Sequence, residues 1–151
     1  MNDAEASKLA DLTADLMMVI GRMKGSVDYA DIGSVHPGTQ YAVLDTILRH
    51  GLKTVPEIAL WRGVKRQSVQ TVVNKLIEGG LLGLRENPEH KSSKLLHVEP
   101  AGKRQYELAR ERMRSRYQEK ENPLQKGDLE AAARVMDVIA STWGLDVGGA
   151  D

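Results

Sequence analysis

Thr54-Val-Pro-Glu57 constrains this chain more tightly than any other four residues. A threonine hydroxyl that accepts from the third helical N–H, a proline in the first turn and a glutamate that reaches back together make a reciprocal capping box. The box places a helix start at Val55, and the short helix it opens runs over 55–61 and ends near Gly63. A further helix is predicted over 66–78, with Val69, Val72, Val73 and Leu76 on one face and Gly79-Gly80 as its stop. Its opposite face carries Arg66, Gln67, Gln70, Thr71, Asn74 and Lys75. Past Gly80 the hydrophobic period changes from helical to extended. Residues 81–86 and 94–99 read as short strands, joined by the polar, turn-rich stretch Asn87-Pro-Glu-His-Lys-Ser-Ser93.

Two helices around a glycine, followed at once by a hairpin, describe a winged helix-turn-helix. The elements on either side are helical. Leu9, Leu12, Leu16, Val19 or Ile20, Met23 and Val27 recur at spacings of three and four, which predicts a long amphipathic helix over 7–30. A loop over 31–38 precedes a helix over 39–50 with Tyr41, Leu44, Ile47 and Leu48 inward. Pro100 opens a helix over 100–121 that Asn122-Pro123 breaks, and Asp128 is the expected cap of a last helix reaching Trp143, striped by Leu129, Ala132, Val135 or Met136, and Ile139. The fold class is therefore mainly α with a small β-hairpin wing: one domain over 1–151, its winged lobe over 39–99, flanked by long helices over 7–30 and 100–145.

Charge divides the chain in the same way. Residues 62–116 hold 13 Lys/Arg against 6 Asp/Glu, whereas 1–61 and 117–151 hold 8 against 15. A formally neutral chain with a basic middle and acidic ends fits a polyanion on one face only. The 66–78 helix presents a front about 20 Å long at 1.5 Å per residue, with the side-chain types that read base edges in a major groove. His90, Lys91 and Lys94 sit on the hairpin, within reach of a flanking groove or phosphates.

Other chemistry finds no foothold. With no cysteine there are no disulfides, thiolates or cysteine metal sites. His36, His50, His90 and His97 form no metal-ligand spacing and read as exposed or hairpin residues, Ser92-Ser93 has no evident base, and no phosphate loop or nucleophile elbow occurs. Arg110, Arg112, Arg114 and Arg116 spread around their helix instead of forming a site. No catalytic residue, metal or cofactor is expected, nor a membrane partner. The acidic start and the absence of a long apolar run point to a cytoplasmic protein.

The run Thr54-Val-Pro-Glu-Ile-Ala59, then Gly63-Val64, Val69 through Val73-Asn-Lys-Leu76, and Gly80-Leu-Leu82 resembles the MarR (multiple antibiotic resistance regulator) family. The wing from Asn87-Pro-Glu89 to Lys94-Leu-Leu96 and the following Pro100-Ala-Gly102 fit that pattern too, as do the long flanking helices. The chain departs from the family where an Asp-x-Arg is common at the wing, since His90 and Ser92 stand there, and where Ser or Thr often caps the recognition helix, since Lys65 stands there. Lys91 or Lys94 would have to replace the missing arginine.

The resemblance implies a homodimeric transcription regulator, typically a repressor, whose two recognition helices read a pseudo-palindromic operator in double-stranded DNA. It assigns phosphate contacts to Lys65, Arg66, Lys75, Lys91 and Lys94, and base contacts to Gln67, Ser68, Gln70 and Thr71, with Asn74 and His90 on the same surface. It also implies release by a small aromatic or amphipathic effector between the dimer helices and the DNA-binding lobe. Met17, Met23, Tyr29, His36 and Tyr41 fall where such a pocket would be lined, with core filling as the alternative for the methionines and a plain loop position for His36. A winged-helix protein-interaction module without specific DNA binding is the other class of function these features fit. The Gln, Thr and Asn front favours DNA.

Overall fold

Val43, Ile58, Val73 and Leu76 have almost no exposed surface and mark the centre of the core. The computed structural model describes residues 1–24, 37–119, 121 and 123–145. In chain order these form α1 (Asp3–Lys24), α2 (Pro37–His50), α3 (Val55–Trp61), α4 (Arg66–Glu78), β1 (Leu82–Arg85), β2 (Leu95–Val98), α5 (Pro100–Gln118) and α6 (Asp128–Thr142). The core lies where α2, α3, α4 and the hairpin meet, and Tyr106 of α5 closes it. This is a mainly helical winged helix-turn-helix, as the sequence patterning predicts.

The capping box forms in full. The Thr54 hydroxyl accepts from the Glu57 N–H at 3.3 Å, and Glu57 Oε2 accepts from the N–H groups of Lys53 and Thr54 at 3.1 and 2.9 Å. Burial works to raise the Glu57 carboxyl, but the Thr54 hydroxyl and these two N–H groups outweigh it and hold the group below its ordinary value. The turn into α4 uses Gly63 at φ 62°, a left-handed conformation that suits glycine. Both α3 and α4 have the boundaries expected from the sequence.

β1 and β2 pair antiparallel, from Leu82 opposite Val98 to Arg85 opposite Leu95. Period-2 alternation turns Leu82 and Leu96 into the core, with His97 on the other face. There the His97 ring covers Gly83, and a Cβ at Gly83 would collide with it. His97 Nε2 lies 2.7 Å from Glu99 Oε1. β2 is also tied to the start of α3 by the Leu96 N–H, which donates to the Lys53 carbonyl at 2.7 Å.

α5 is fastened to the lobe twice. The Glu99 N–H donates to the Leu81 carbonyl at 3.0 Å, and Gly102 packs so closely on that carbonyl that no Cβ fits. One helical turn further, the buried Tyr106 hydroxyl donates to Asp45 Oδ1 at 2.8 Å, while Tyr41 stacks on the Tyr106 ring with centroids 5.3 Å apart. Asp45 also pairs with Arg49 at 3.4 Å. Burial, followed by the Asp45 carboxylate, raises both phenols; for Tyr106 the hydrogen bond to Asp45 ranks second.

Several boundaries and faces differ from expectation. α1 begins at Asp3, not near Ser7, because Asn2 and Glu5 form a reciprocal cap of their own: the Asn2 N–H donates to Glu5 Oε2 at 2.8 Å and the Glu5 N–H to Asn2 Oδ1 at 2.9 Å. α2 begins at Pro37, a residue suited to a first helical turn, so the expected loop does not extend to Gly38; its remaining residues, 31–36, and the expected helix tail over 25–30 lie outside the described residues. Leu48, expected inward, is 38% exposed; Val43 and Thr46 fill that space, the Thr46 hydroxyl being satisfied by the Ala42 carbonyl at 2.7 Å. α5 stops at Gln118, short of Glu121. Asp128 is not the cap of α6: Gly127 is, at φ 93°, and Asp128 instead accepts from the Gln125 N–H at 2.7 Å. On α6 the half-buried positions are Ala131, Val135 and Ile139, while Leu129 and Met136 are exposed.

Gly102→Ala is expected to cost about 1–3 kcal/mol, the range for overpacking a tight contact, measured by urea denaturation. The tyrosines add a pH dependence. Unfolded phenols ionise near about 10; because the folded values are higher, their contribution is complete below that pH and fades as the pH rises through the folded values. The urea midpoint should therefore fall above pH ~10, and fall less steeply in Tyr106→Phe.

Candidate nucleic-acid interface

Val69, Val72, Val73 and Leu76 are all buried, so α4 has no freedom about its own axis and its polar face points outward. Lys65, Arg66, Gln67, Ser68, Gln70, Thr71, Asn74 and Lys75 are all exposed along it. Lys65 occupies the N-cap position and offers no side-chain cap, as its residue type requires. Gln70 Nε2 donates to Asn74 Oδ1 at 2.8 Å, one helical turn away. That bond leaves the Gln70 carbonyl oxygen and the Asn74 amide N–H groups facing outward as one joined donor and acceptor set. The Thr71 hydroxyl donates back to the Gln67 carbonyl at 2.9 Å, so outward it presents lone pairs and a methyl group.

The hairpin loop is held by a residue that the sequence reading passed over. Asn87 is buried in spite of its amide. Its Nδ2 donates to the Ser93 carbonyl at 2.8 Å, and its Oδ1 accepts from the N–H groups of Glu89 and His90 at 3.0 and 3.3 Å. The Asn-Pro pair that opens the loop is the sequence signal for such a turn. At the loop, His90, Lys91 and Lys94 are exposed, and Lys94 Nζ lies 3.2 Å from Glu86 Oε1.

Between α4 and the hairpin runs an open crevice of about 370 Å³ whose walls include Arg66, Gln67, Gln70, Ser92, Ser93 and Lys94. Of the predicted residues, the crevice brings together Arg66, Gln67, Gln70 and Lys94, joined by the two serines that sequence reasoning assigned to an ordinary turn, whereas Lys65, Ser68, Thr71, Asn74 and Lys75 do not line it. His90 and Lys91 lie beyond its rim.

The expected effector residues are not gathered in the same way. Met17 and Met23 are exposed on α1, Tyr41 is taken up in the stack with Tyr106, and Tyr29 and His36 lie outside the described residues. A second, apolar groove of about 490 Å³ lies between α1 and α6, along Leu9, Leu12, Val135 and Val138. His50 is less exposed than expected, packing on Trp61 with ring centroids 4.3 Å apart; His97 lies on the hairpin, as one of the two expected settings, and is half-buried against Glu99. No group of three metal-ligating side chains occurs among the described residues, and no described helix is long and apolar enough to cross a membrane.

Residues 37–91, the span from α2 into the wing loop, match the profile of the MarR family. An uncharacterized protein of Mycobacterium tuberculosis is 34% identical over 107 residues, covering 71% of this chain and 74% of that protein. Among solved structures, a Staphylococcus aureus MarR in complex with salicylate and kanamycin superposes with a TM-score of 0.70 at 20% identity, covering 93% of this chain and 95% of that one. CouR from Rhodococcus jostii RHA1, bound to p-coumaroyl-CoA, superposes with a TM-score of 0.65 at 21% identity over 87% and 94%. At these identities the structural likeness speaks for the fold.

The loop lends itself to a direct test. Asn87→Ala should speed amide exchange at Glu89 and His90 by roughly tenfold or more while costing about 1–3 kcal/mol of global stability, the range for leaving buried polar groups unsatisfied. Unchanged exchange at both amides would show that the backbone alone holds the loop.

Proposed function

The chain belongs to the MarR family, and on that premise we propose that it is a homodimeric, sequence-specific DNA-binding transcription regulator, a repressor released by a small aromatic or amphipathic ligand. The polar face of α4 carries this reading. Its orientation is fixed by a buried back, it is rich in groups that match base edges, and it shares a crevice with the wing. The basic excess of residues 62–116 falls on the segment holding these elements.

Dimerisation is supported by apolar surface that the single chain leaves uncovered. Met17, Met18, Val19 and Ile20 are consecutive on α1 and all exposed, so that stretch is apolar around its circumference. Leu129, Met136 and Trp143 are exposed on and just after α6. A second copy covering both helices takes these side chains out of water. It also sets two α4 helices about one DNA turn apart. Ligand release draws support from relatives solved with salicylate or p-coumaroyl-CoA, both aromatic carboxylic acid derivatives. Cytoplasmic residence and the absence of catalysis follow from the same reading.

The deciding experiment is binding of the full chain to a labelled duplex from upstream of its own gene, at two salt concentrations, against excess random DNA. Selective, salt-sensitive binding is expected. Equal binding to both DNAs points to an architectural role. No binding at low salt points to the protein-interaction alternative.

Within a working complex, Gln70→Ala or Thr71→Ala is expected to cost about 1–3 kcal/mol of sequence discrimination with little change in non-specific affinity. Because Gln70 and Asn74 are hydrogen-bonded, their double alanine variant should fall short of additive. Arg66→Ala should weaken all duplexes alike and lower the salt slope by about 0.9. Met17→Glu should shift sedimentation toward monomer; an intact dimer would remove α1 from the interface.

A further inference from the structure

The crevice between α4 and the hairpin has a chemical composition of its own. Arg66 stands on its α4 side, and its side chain has no ion-pair partner among the described residues. Lys94 stands on the hairpin side, accompanied by the Ser92 and Ser93 hydroxyls. Among the described residues, no carboxylate lines the space. Val55, Pro56, Val73, Leu84 and Leu96 also line the space. Two cations and hydroxyl donors beside these apolar side chains, with no acid, suit an acceptor-only anion that reaches both walls, which on a duplex is a backbone phosphodiester. Lys91 is the other wing lysine, but it does not line the crevice.

Lys94 is not idle in the free protein. Its ammonium lies 3.2 Å from Glu86 Oε1, and this pairing is built into the hairpin. Arg85 pairs with Leu95 as the last rung of the ladder, so residues 86 and 94 face each other one step beyond it. Both side chains are more than half exposed, at 84% for Glu86 and 53% for Lys94. A pair in that setting is worth little and gives way easily to a stronger anion.

Building on the DNA-binding reading above, we propose that this crevice seats one backbone phosphodiester between Arg66 and Lys94, and that Glu86, which does not line the crevice, holds the Lys94 ammonium until DNA displaces it. Glu86 then lowers the affinity for every duplex. Lys94 reaches the phosphate only by giving up Glu86, so part of the attraction to DNA is spent on breaking the pair. The released carboxylate then stays within the roughly 8 Å over which charges interact at physiological salt. The wing is in this way a weaker polyanion holder than its lysine count suggests, which leaves a larger share of the binding to the face of α4.

The test is fluorescence anisotropy of the full chain on the upstream duplex and on a random duplex, each across a salt titration. Lys94→Ala should reduce the log–log salt slope by about 0.9, and Lys91→Ala by much less. Glu86→Gln should bind both duplexes about two- to fivefold tighter, the span that an exposed ion pair of up to about 1 kcal/mol allows. That gain should vanish when Glu86→Gln is made in the Lys94→Ala background. Unchanged or weaker binding by Glu86→Gln overturns the proposal. So does a gain that survives loss of Lys94, or a Lys91→Ala slope change as large as that of Lys94→Ala. Wild-type protein that binds neither duplex at low salt defeats the DNA-binding reading itself, whereas wild-type binding with Glu86→Gln unchanged defeats only this one.

Discussion

Burial of Val69, Val72, Val73 and Leu76 is the constraint from which the rest of the lobe follows. Four apolar side chains at helical spacing leave α4 one stable rotation about its axis, and that rotation decides what its other face presents. Each neighbouring element serves the same burial. α3 brings Ile58, α2 brings Val43 and Ile47, and the hairpin brings Leu82 and Leu96. α5 then seals the cluster with Tyr106, whose hydroxyl is satisfied by Asp45 and so escapes the cost of an unpaired buried polar group.

The surface divides by chemistry. Polar and basic residues cover the outward face of α4 and the wing loop, while most of the uncovered large apolar residues sit on α1 and α6 and near them, with Leu60, Val64 and Leu84 exposed within the lobe. α5 joins the two regions: its first three turns hold its buried positions Gly102, Tyr106 and Ala109, and its remaining length leaves the lobe. Because Gly102 meets backbone with no side chain between them, the start of α5 has little room to slide on the lobe.

Local signals were legible in proportion to how self-contained they are. The Thr54–Glu57 box and the Gly79-Gly80 stop needed nothing beyond their own few residues, and the boundaries of α3 and α4 follow from them directly. The Asn2–Glu5 cap is equally local but has a less familiar composition, and α1 starts earlier than its apolar stripe alone suggests. Leu48 and Thr46 show the opposite case. Hydropathy favours the leucine for the core, yet Thr46 is the buried one, its hydroxyl satisfied by the Ala42 carbonyl. The site had the same mixture. The exposed α4 face could be read from its period, whereas the meeting of Ser92, Ser93 and Lys94 with Arg66 depends on how the hairpin folds back, and no spacing records that.

The chain has two tryptophans, and they fall in different regions. Trp61 is half-buried within the lobe against His50, and Trp143 stands 72% exposed at the end of α6. Their emission is consequently separable by environment. A surface that covers Trp143 strips water from it and moves its emission to shorter wavelength, while the emission of Trp61 shifts when α3 parts from His50 of α2. Trp143 thus reports optically on what covers the end of α6, and Trp61 on the integrity of the lobe.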